Sequence, residues 1–230
     1  MKTHSLPIKI SYGLTRFFVG PLIRAIWVKD HQGMHHIKRH KGGAIIAANH
    51  QSFFDFLCLV SVSGRNIHFL SAEKFFRHPW WRKLMKMTGQ IKVDRKAEDK
   101  SAVHLSVKDH LNKKQLIGIF PEGTRSPSPT EMLKAYTGIA RYALEHHIPI
   151  IPVGIKGAHE IHNIVDKKLN FNKTVSVAVG EPMYFEEYYG QSEDHDILTE
   201  VTEKVIKKIE ELSGKVYPHY QSKAALSMLQ

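Results

Sequence analysis

Asn49 and His50 stand directly after the apolar run Ala44–Ala48, and Asp55 follows His50 by five residues. A histidine whose one ring nitrogen is held by a carboxylate can take up a proton through the other, which is the chemistry of a general base. Five residues span about 140° of an ideal helix, so His50 and Asp55 cannot share one helical face. They can meet if His50 lies in the turn after a strand and Asp55 in the first turns of the next helix. A structural hydrogen bond would use the same two residues. Their place at a strand end favours catalysis, because the binding groups of open α/β sheets gather there.

A second apolar run, Leu116–Phe120, empties into Pro121-Glu122-Gly123-Thr124-Arg125-Ser126. Gly123 permits unusual backbone angles and close approach of a ligand, and the Arg125 guanidinium offers a planar fork of donors suited to phosphate. Taken alone, the segment also reads as an ordinary turn with a surface arginine. Other chemistry-bearing residues carry less. Ser52 suits a helix cap better than a nucleophile, and Cys58 sits in an apolar stretch as a core residue. His159-Glu160-Ile161-His162 is one residue short of the spacing that puts two histidine ligands on one helical face. His35–His36 and His146–His147 are adjacent pairs that diverge on any regular element. No metal site is expected.

The elements that would position these groups follow from periodicity. Ala44–Ala48, Ile67–Leu70, Leu116–Phe120, Ile150–Val153 and Thr174–Val179 read as strands, several flanked by glycine or proline. Ser52–Val62, apolar nearly all round, reads as a buried helix. Ala97–Lys114, Leu133–His147 and Ile197–Leu212 carry amphipathic helical spacing, the last stopped by Gly214. Strands alternating with helices predict an α/β fold: a single domain with a mixed, mostly buried sheet flanked by helices. Residues 31–230 form that domain. Residues 1–30 form an N-terminal amphipathic, helical segment for membrane attachment. From Leu6 to Val28 large apolar residues are interrupted by Lys9, Arg16 and Arg24 and broken at Gly20-Pro21. The proline predicts two short helices that lie on a membrane surface or pack on the domain. The segment has neither the uninterrupted apolar centre nor the cleavage site of a secretory signal.

Composition narrows the classes of function. The chain has 230 residues, 42% of them hydrophobic and 24% charged, so wholesale disorder is excluded. One cysteine excludes an intrachain disulfide framework and fits a reducing compartment. The net charge of +11 is unevenly placed: residues 1–100 hold 18 Lys+Arg against 6 Asp+Glu, whereas the remainder is nearly balanced. Such a face attracts nucleic acid, anionic lipid or a phosphorylated substrate. No nucleic-acid motif accompanies it, and no nucleic-acid partner is expected.

The two polar segments together resemble the glycerolipid acyltransferase family, specifically the 1-acylglycerol-3-phosphate acyltransferases. The family's Asn-His-x4-Asp motif is matched by Asn49–Asp55, and Phe-Pro-Glu-Gly-Thr-Arg-Ser is matched without a change at Phe120–Ser126. Gly89-Gln90-Ile91-Lys92-Val93-Asp94-Arg95 is similar to a second motif, and Ile148–Val153 to an apolar, proline-containing fourth. The resemblance implies acyl transfer to lysophosphatidate, with His50 as base and Asp55 as its partner. It implies that Arg95, Glu122, Gly123, Thr124 and Arg125 hold the acceptor's glycerol phosphate. No cofactor is expected beyond an acyl-CoA or acyl-carrier-protein thioester as co-substrate. The partners implied are the two substrates, an anionic membrane surface on the cytoplasmic face and acyl carrier protein. Many members carry Phe-Lys-x-Gly after the third motif, whereas here Leu133-Lys134-Ala135-Tyr136-Thr137-Gly138 places the lysine earlier.

Overall fold

The computed structural model describes residues 6–94, 96–97, 99–162 and 169–222. The chain begins with helix α1 (Leu6–Trp27), strand β1 (Val28–Gln32) and a short helix α2 (His35–Arg39). Strand β2 (Ala44–Ala48), helix α3 (Asp55–Ser63) and strand β3 (Ile67–Ala72) follow. Two short helices, α4 (Lys74–Arg77) and α5 (Pro79–Met87), lead to strand β4 (Ile91–Val93). Then come α6 (Ser101–Asn112), β5 (Leu116–Ile119), α7 (Gly138–His146) and β6 (Ile150–Lys156). Strand β7 (Val175–Val179) and the long helix α8 (His195–Ser213) complete the order.

The strands form one seven-stranded sheet in the order β1-β7-β6-β2-β5-β3-β4. Neighbours are parallel except β6 and β7, which run antiparallel. Helices cover both faces, so β2 is buried throughout and its side chains divide by the period of two that a strand imposes. Ala44, Ile46 and Ala48 join the core shared with α1 and α3. Ile45 and Ala47 join the core shared with α6, α7 and α8. Asp194 caps α8 by accepting from the N–H groups of Asp196 and Ile197, and Gly214 ends it in a left-handed conformation.

The expected α/β sheet is present, and two edge strands are added to it. β1 (Val-Lys-Asp-His-Gln) exposes four of its five residues, so no apolar alternation marks it; it exists through pairing with β7. β4 is three residues long and begins opposite Leu70, which leaves the start of β3 without a backbone neighbour on that side. Side chains fill the gap. The Tyr12 hydroxyl donates to Ile67 O at 2.9 Å and accepts from Ile67 N at 3.1 Å. Gln90 Oε1 accepts from Phe69 N at 2.7 Å.

The N-terminal segment departs from expectation. It is one helix that passes through Pro21 rather than two short ones. It packs along α3 and contributes Tyr12, Ile23 and Trp27 to the core, a tertiary contact that outweighs the local cost of the proline. Its other side carries Ile10, Leu14, Phe17, Phe18 and Leu22 to solvent. No helix among the described residues is long and apolar enough to cross a membrane.

The Tyr12 hydroxyl is thus a backbone partner for a sheet edge. Tyr12→Phe leaves a buried N–H and C=O without their partner and should lower unfolding free energy by about 1–3 kcal/mol, read from urea denaturation.

Candidate active site

β2 and β5 are parallel neighbours in register, so their carboxyl ends lie side by side and bring His50 next to the 120–126 loop. Beyond the last residue of β2, Asn49 continues the sheet with its side chain. Its Nδ2 donates to Ile155 O at 2.8 Å and its Oδ1 accepts from Ile155 N at 2.7 Å. The amide thereby copies a backbone pair with β6 and fixes the direction in which the chain leaves for His50. The sequence reading gave Asn49 no role of its own, although an asparagine at the end of an all-apolar strand was the available signal.

His50 and Asp55 meet in the arrangement that the spacing allows: imidazole in the turn, carboxylate at the first residue of α3. Nδ1 lies 2.7 Å from Asp55 Oδ2, and the same oxygen accepts from Gln51 N at 2.7 Å and Ser52 N at 2.8 Å. Asp55 is fully buried, whereas the His50 side chain keeps 18% of its surface exposed. With Nδ1–H committed to the carboxylate, Nε2 carries the lone pair that can accept a proton. Ser52 is buried and its Oγ accepts from Phe54 N at 3.3 Å. Cys58 lies in the core, its thiol pushed up to about 12 by burial and by Asp55.

Three further contacts clamp His50. Its ring stacks on Phe120 with centroids 4.0 Å apart, and Phe120 stacks in turn on Phe69. Gly118 makes room for this, since a Cβ there would lie 2.4 Å from the Phe69 ring. The carbonyl of His50 accepts from Ser126 N at 2.8 Å. Its N–H donates to Glu122 Oε1 at 2.6 Å, while Glu122 Oε2 accepts from Leu133 N at 2.8 Å.

Glu122 therefore faces inward. The resemblance placed it among the groups holding the acceptor, but it is buried and each of its oxygens is engaged by a backbone N–H. It joins three segments of the site instead. Gly123 closes the turn onto Phe120 O at 3.0 Å with φ +67°, and a Cβ there would lie 2.9 Å from the Tyr136 ring. Thr124 is exposed and Arg125 half-buried, and Arg125 makes no hydrogen bond or ion pair among the described residues. Its guanidinium is available to an anion beside the dyad. Arg95 lies outside the described residues. The stretch 133–137 is not the start of α7, as periodicity suggested; Leu133, Ala135 and Tyr136 spend their N–H groups on Glu122, the Tyr217 hydroxyl and Pro121 O.

Aromatic rings continue from the dyad to the surface. Phe69 meets Phe56, Phe56 meets Phe53, and Phe53 meets Phe75 and Trp81 of the α4–α5 pair, with centroids 5.1–6.1 Å apart. Lys74, Arg77, Arg82, Lys83 and Lys86 of the same pair are exposed. Chemically, the arrangement offers one positioned base, one free guanidinium and an apolar wall leading outward.

Residues 29–156 match the family model described as Acyltransferase, more than half of the chain. The chain belongs to the acyltransferase family. The matched span contains His50, Asp55 and the whole 120–126 loop. Among similar curated proteins, a 1-acyl-sn-glycerol-3-phosphate acyltransferase of Bacillus subtilis is 24% identical over 175 residues, covering 76% of this chain and 83% of the relative. The enzyme of that name from Salmonella typhimurium is 28% identical over 177 residues, covering 76% and 70%. A solved 1-acyl-sn-glycerophosphate acyltransferase from Thermotoga maritima superposes with a TM-score of 0.70 over 92% of this chain and 83% of that one, at 21% identity, and so shares its fold.

The inward role of Glu122 in this acyltransferase is open to test. Its carboxyl is pushed up from 4.5 to about 7, chiefly by burial, with Asp55 adding and the two N–H donors and Lys215 opposing. A carboxyl raised on folding binds its proton more tightly in the folded state, so its contribution to stability is full below about pH 4.5 and is lost as pH rises through about 7. Glu122→Gln removes that slope and turns an NH₂ towards one of the two N–H groups. Urea unfolding should show the stability advantage of wild type over the variant shrinking between pH 4.5 and 7.

Proposed function

We propose that the protein transfers a fatty acyl group from an acyl thioester, on CoA or acyl carrier protein, to the free hydroxyl of a 1-acylglycerol-3-phosphate, giving phosphatidic acid. The observation that carries the reading is the buried Asp55 holding His50 Nδ1 at 2.7 Å beside the uncommitted Arg125. His50 Nε2 removes the proton of the acceptor hydroxyl as its oxygen attacks the thioester carbonyl. The tetrahedral intermediate collapses with cleavage of the C–S bond, and the imidazolium returns the proton to the departing sulfur. Asp55 keeps the imidazole in the productive tautomer and stabilises its cation, and no acyl-enzyme is needed. The acceptor phosphate falls to Arg125, with Arg95 and the exposed Thr124 as further contacts. The names of the curated relatives support this acceptor over another lysophospholipid or a lyso-aminolipid. The intact dyad argues against a non-catalytic module that merely binds anionic lipid.

The test is an acceptor panel with labelled acyl donor and analysis of the lipid product. Lysophosphatidate should be the preferred acceptor. His50→Ala should fold and lose about 10²–10⁴-fold of the activity. Arg125→Ala should raise KM for lysophosphatidate by roughly 10–150-fold, the worth of one charge-assisted contact, and leave KM for the donor little changed. Equal losses on acceptors with and without phosphate would remove Arg125 from the phosphate site.

Both acceptor and product are lipids, and we infer that the enzyme works on the cytoplasmic face of an anionic membrane without spanning it. The outer side of α1 supports this: Phe17 and Phe18 are 72% and 69% exposed. α5, which lies against α1, adds Trp80 at 79% exposure and its share of the basic residues. Because the inner side of α1 is core, removal of residues 1–28 would unfold the protein rather than detach it. Phe17→Asp with Phe18→Asp should instead leave thermal stability near wild type and abolish most sedimentation with anionic vesicles. Reversing only the basic residues should yield binding that salt removes less completely, since apolar insertion survives screening. Undiminished vesicle binding by the double variant would shift the attachment to α4–α5.

A further inference from the structure

The chain after α8 carries a buried lysine that the acyl-transfer chemistry does not use. Lys215 follows α8 and is 5% exposed. Its segment adds on to the chain that leaves the 120–126 loop: Val216 N donates to Thr130 O and Met132 N to Val216 O, both at 2.9 Å. The Lys215 ammonium donates to Pro129 O. One residue earlier, Ser128 O accepts from Gln51 Nε2 at 2.6 Å, and one residue after Met132, Leu133 N donates to Glu122. The C-terminal segment thus grips the 128–133 stretch at a point between two bonds, one to Gln51 and one to Glu122, that reach the chain at His50.

A buried ammonium is costly unless opposite charge faces it. The charged groups around Lys215 are Asp55 at the start of α3, Glu122 of the loop, Lys156 at the end of β6 and His159 in the turn that follows. The two carboxylates are the groups that hold His50, one by its ring and one by its backbone. Burial and Lys156 pull the ammonium down to about 8 while Asp55 and Glu122 hold it up, and Lys215 in turn opposes the rise of Glu122.

We propose that Lys215 is a positioning residue of the acyl-transfer reaction: its buried ammonium, in the field of Asp55 and Glu122, fastens the 128–133 segment through Pro129 O and with it the contacts to Gln51 and Glu122 that hold the chain at His50. The proposal rests on the acyl-transfer reading of the site, and it adds a residue some 90 positions beyond the 120–126 loop, outside the 29–156 family match. Buried and bonded to Pro129 O, Lys215 acts through the chain at His50, so its removal acts on turnover rather than on acceptor affinity.

The experiment compares Lys215→Met, which keeps length and loses charge, with Lys215→Arg, which keeps charge. Steady-state transfer is measured, and the Glu122 carboxyl is followed by carbon NMR across pH. Lys215→Met should fold, lower kcat by about 10–100-fold with KM for the acceptor within about twofold, and move the Glu122 titration to higher pH. Lys215→Arg should restore most of kcat and return the titration towards wild type. A folded Lys215→Met protein with wild-type kcat and an unmoved Glu122 titration overturns the proposal. If Lys215→Met does not fold, a folded Lys215→Arg protein decides: retained kcat supports the role of the charge, and lost kcat with an unmoved titration refutes it. Should wild type transfer no acyl group at all, the functional reading fails, while the NMR titration still judges the coupling of Lys215 to Glu122.

Discussion

One carboxylate oxygen, Asp55 Oδ2, organises the site by collecting three donors within 2.8 Å. A buried carboxylate is tolerated only when hydrogen bonds replace its hydration. Here two of the donors are consecutive backbone N–H groups and the third is the imidazole. The three donors pull Gln51 and Ser52 into a tight turn around the start of α3, where the helix dipole also favours negative charge. His50 is left with a single orientation and a single tautomer. The contacts that fix the imidazole are the same ones that offset the burial of Oδ2, while Oδ1 is buried without a hydrogen-bond partner among the described residues.

Asp55 acts on the ring, and Glu122 on the chain that carries it. A side chain on a turn could still shift as a unit with its backbone, which would spoil the alignment that acyl transfer needs. The N–H of His50 is therefore tied to Glu122 and its carbonyl to Ser126, both from the loop after β5. Phe120, from the same loop, supports the ring face. Because β2 and β5 are parallel neighbours, the clamp spans the shortest distance the sheet allows. Glu122 answers to its surroundings: burial, with Asp55 adding, pushes its carboxyl up to about 7 against the two N–H donors and Lys215.

Where patterns repeat, the sequence was legible. All five apolar runs read as strands are strands, and the four helical patterns overlap α3, α6, α7 and α8. The meeting of His50 and Asp55 was readable because their spacing rules out a shared helical face and allows a strand-turn-helix arrangement. Three things were not. β1 has no apolar alternation because an edge strand exposed on most sides has little to bury. The passage of α1 through Pro21 depends on its bed against α3, a contact between segments 40 residues apart in sequence that no local rule contains. The inward turn of Glu122 was hidden because a glutamate in a Pro-Glu-Gly turn normally faces water. Its burial becomes visible only when the N–H groups of His50 and Leu133, distant on both sides, are seen to converge.

The double nature of α1 bears on how an enzyme of this kind meets a lipid. A segment that serves only as an anchor would leave the domain free to tumble at the end of a tether, and each encounter with a substrate head group would have to find the right height and tilt. α1 is instead packed along α3, with Ile23 and Trp27 in the shared core and Tyr12 bound to β3, and α3 opens with Asp55. The apolar side of α1 and the charge partner of His50 thus belong to two helices packed directly on one another. If the exposed Phe17 and Phe18 enter the head-group layer, as proposed, the depth of the dyad relative to that layer is set by helix packing rather than by chain flexibility. Orientation lost on attachment then need not be lost again in the reaction, which is where a fixed geometry lowers the barrier to transfer. A proline in mid-helix is tolerable under those terms because the helix is held from the side along its length.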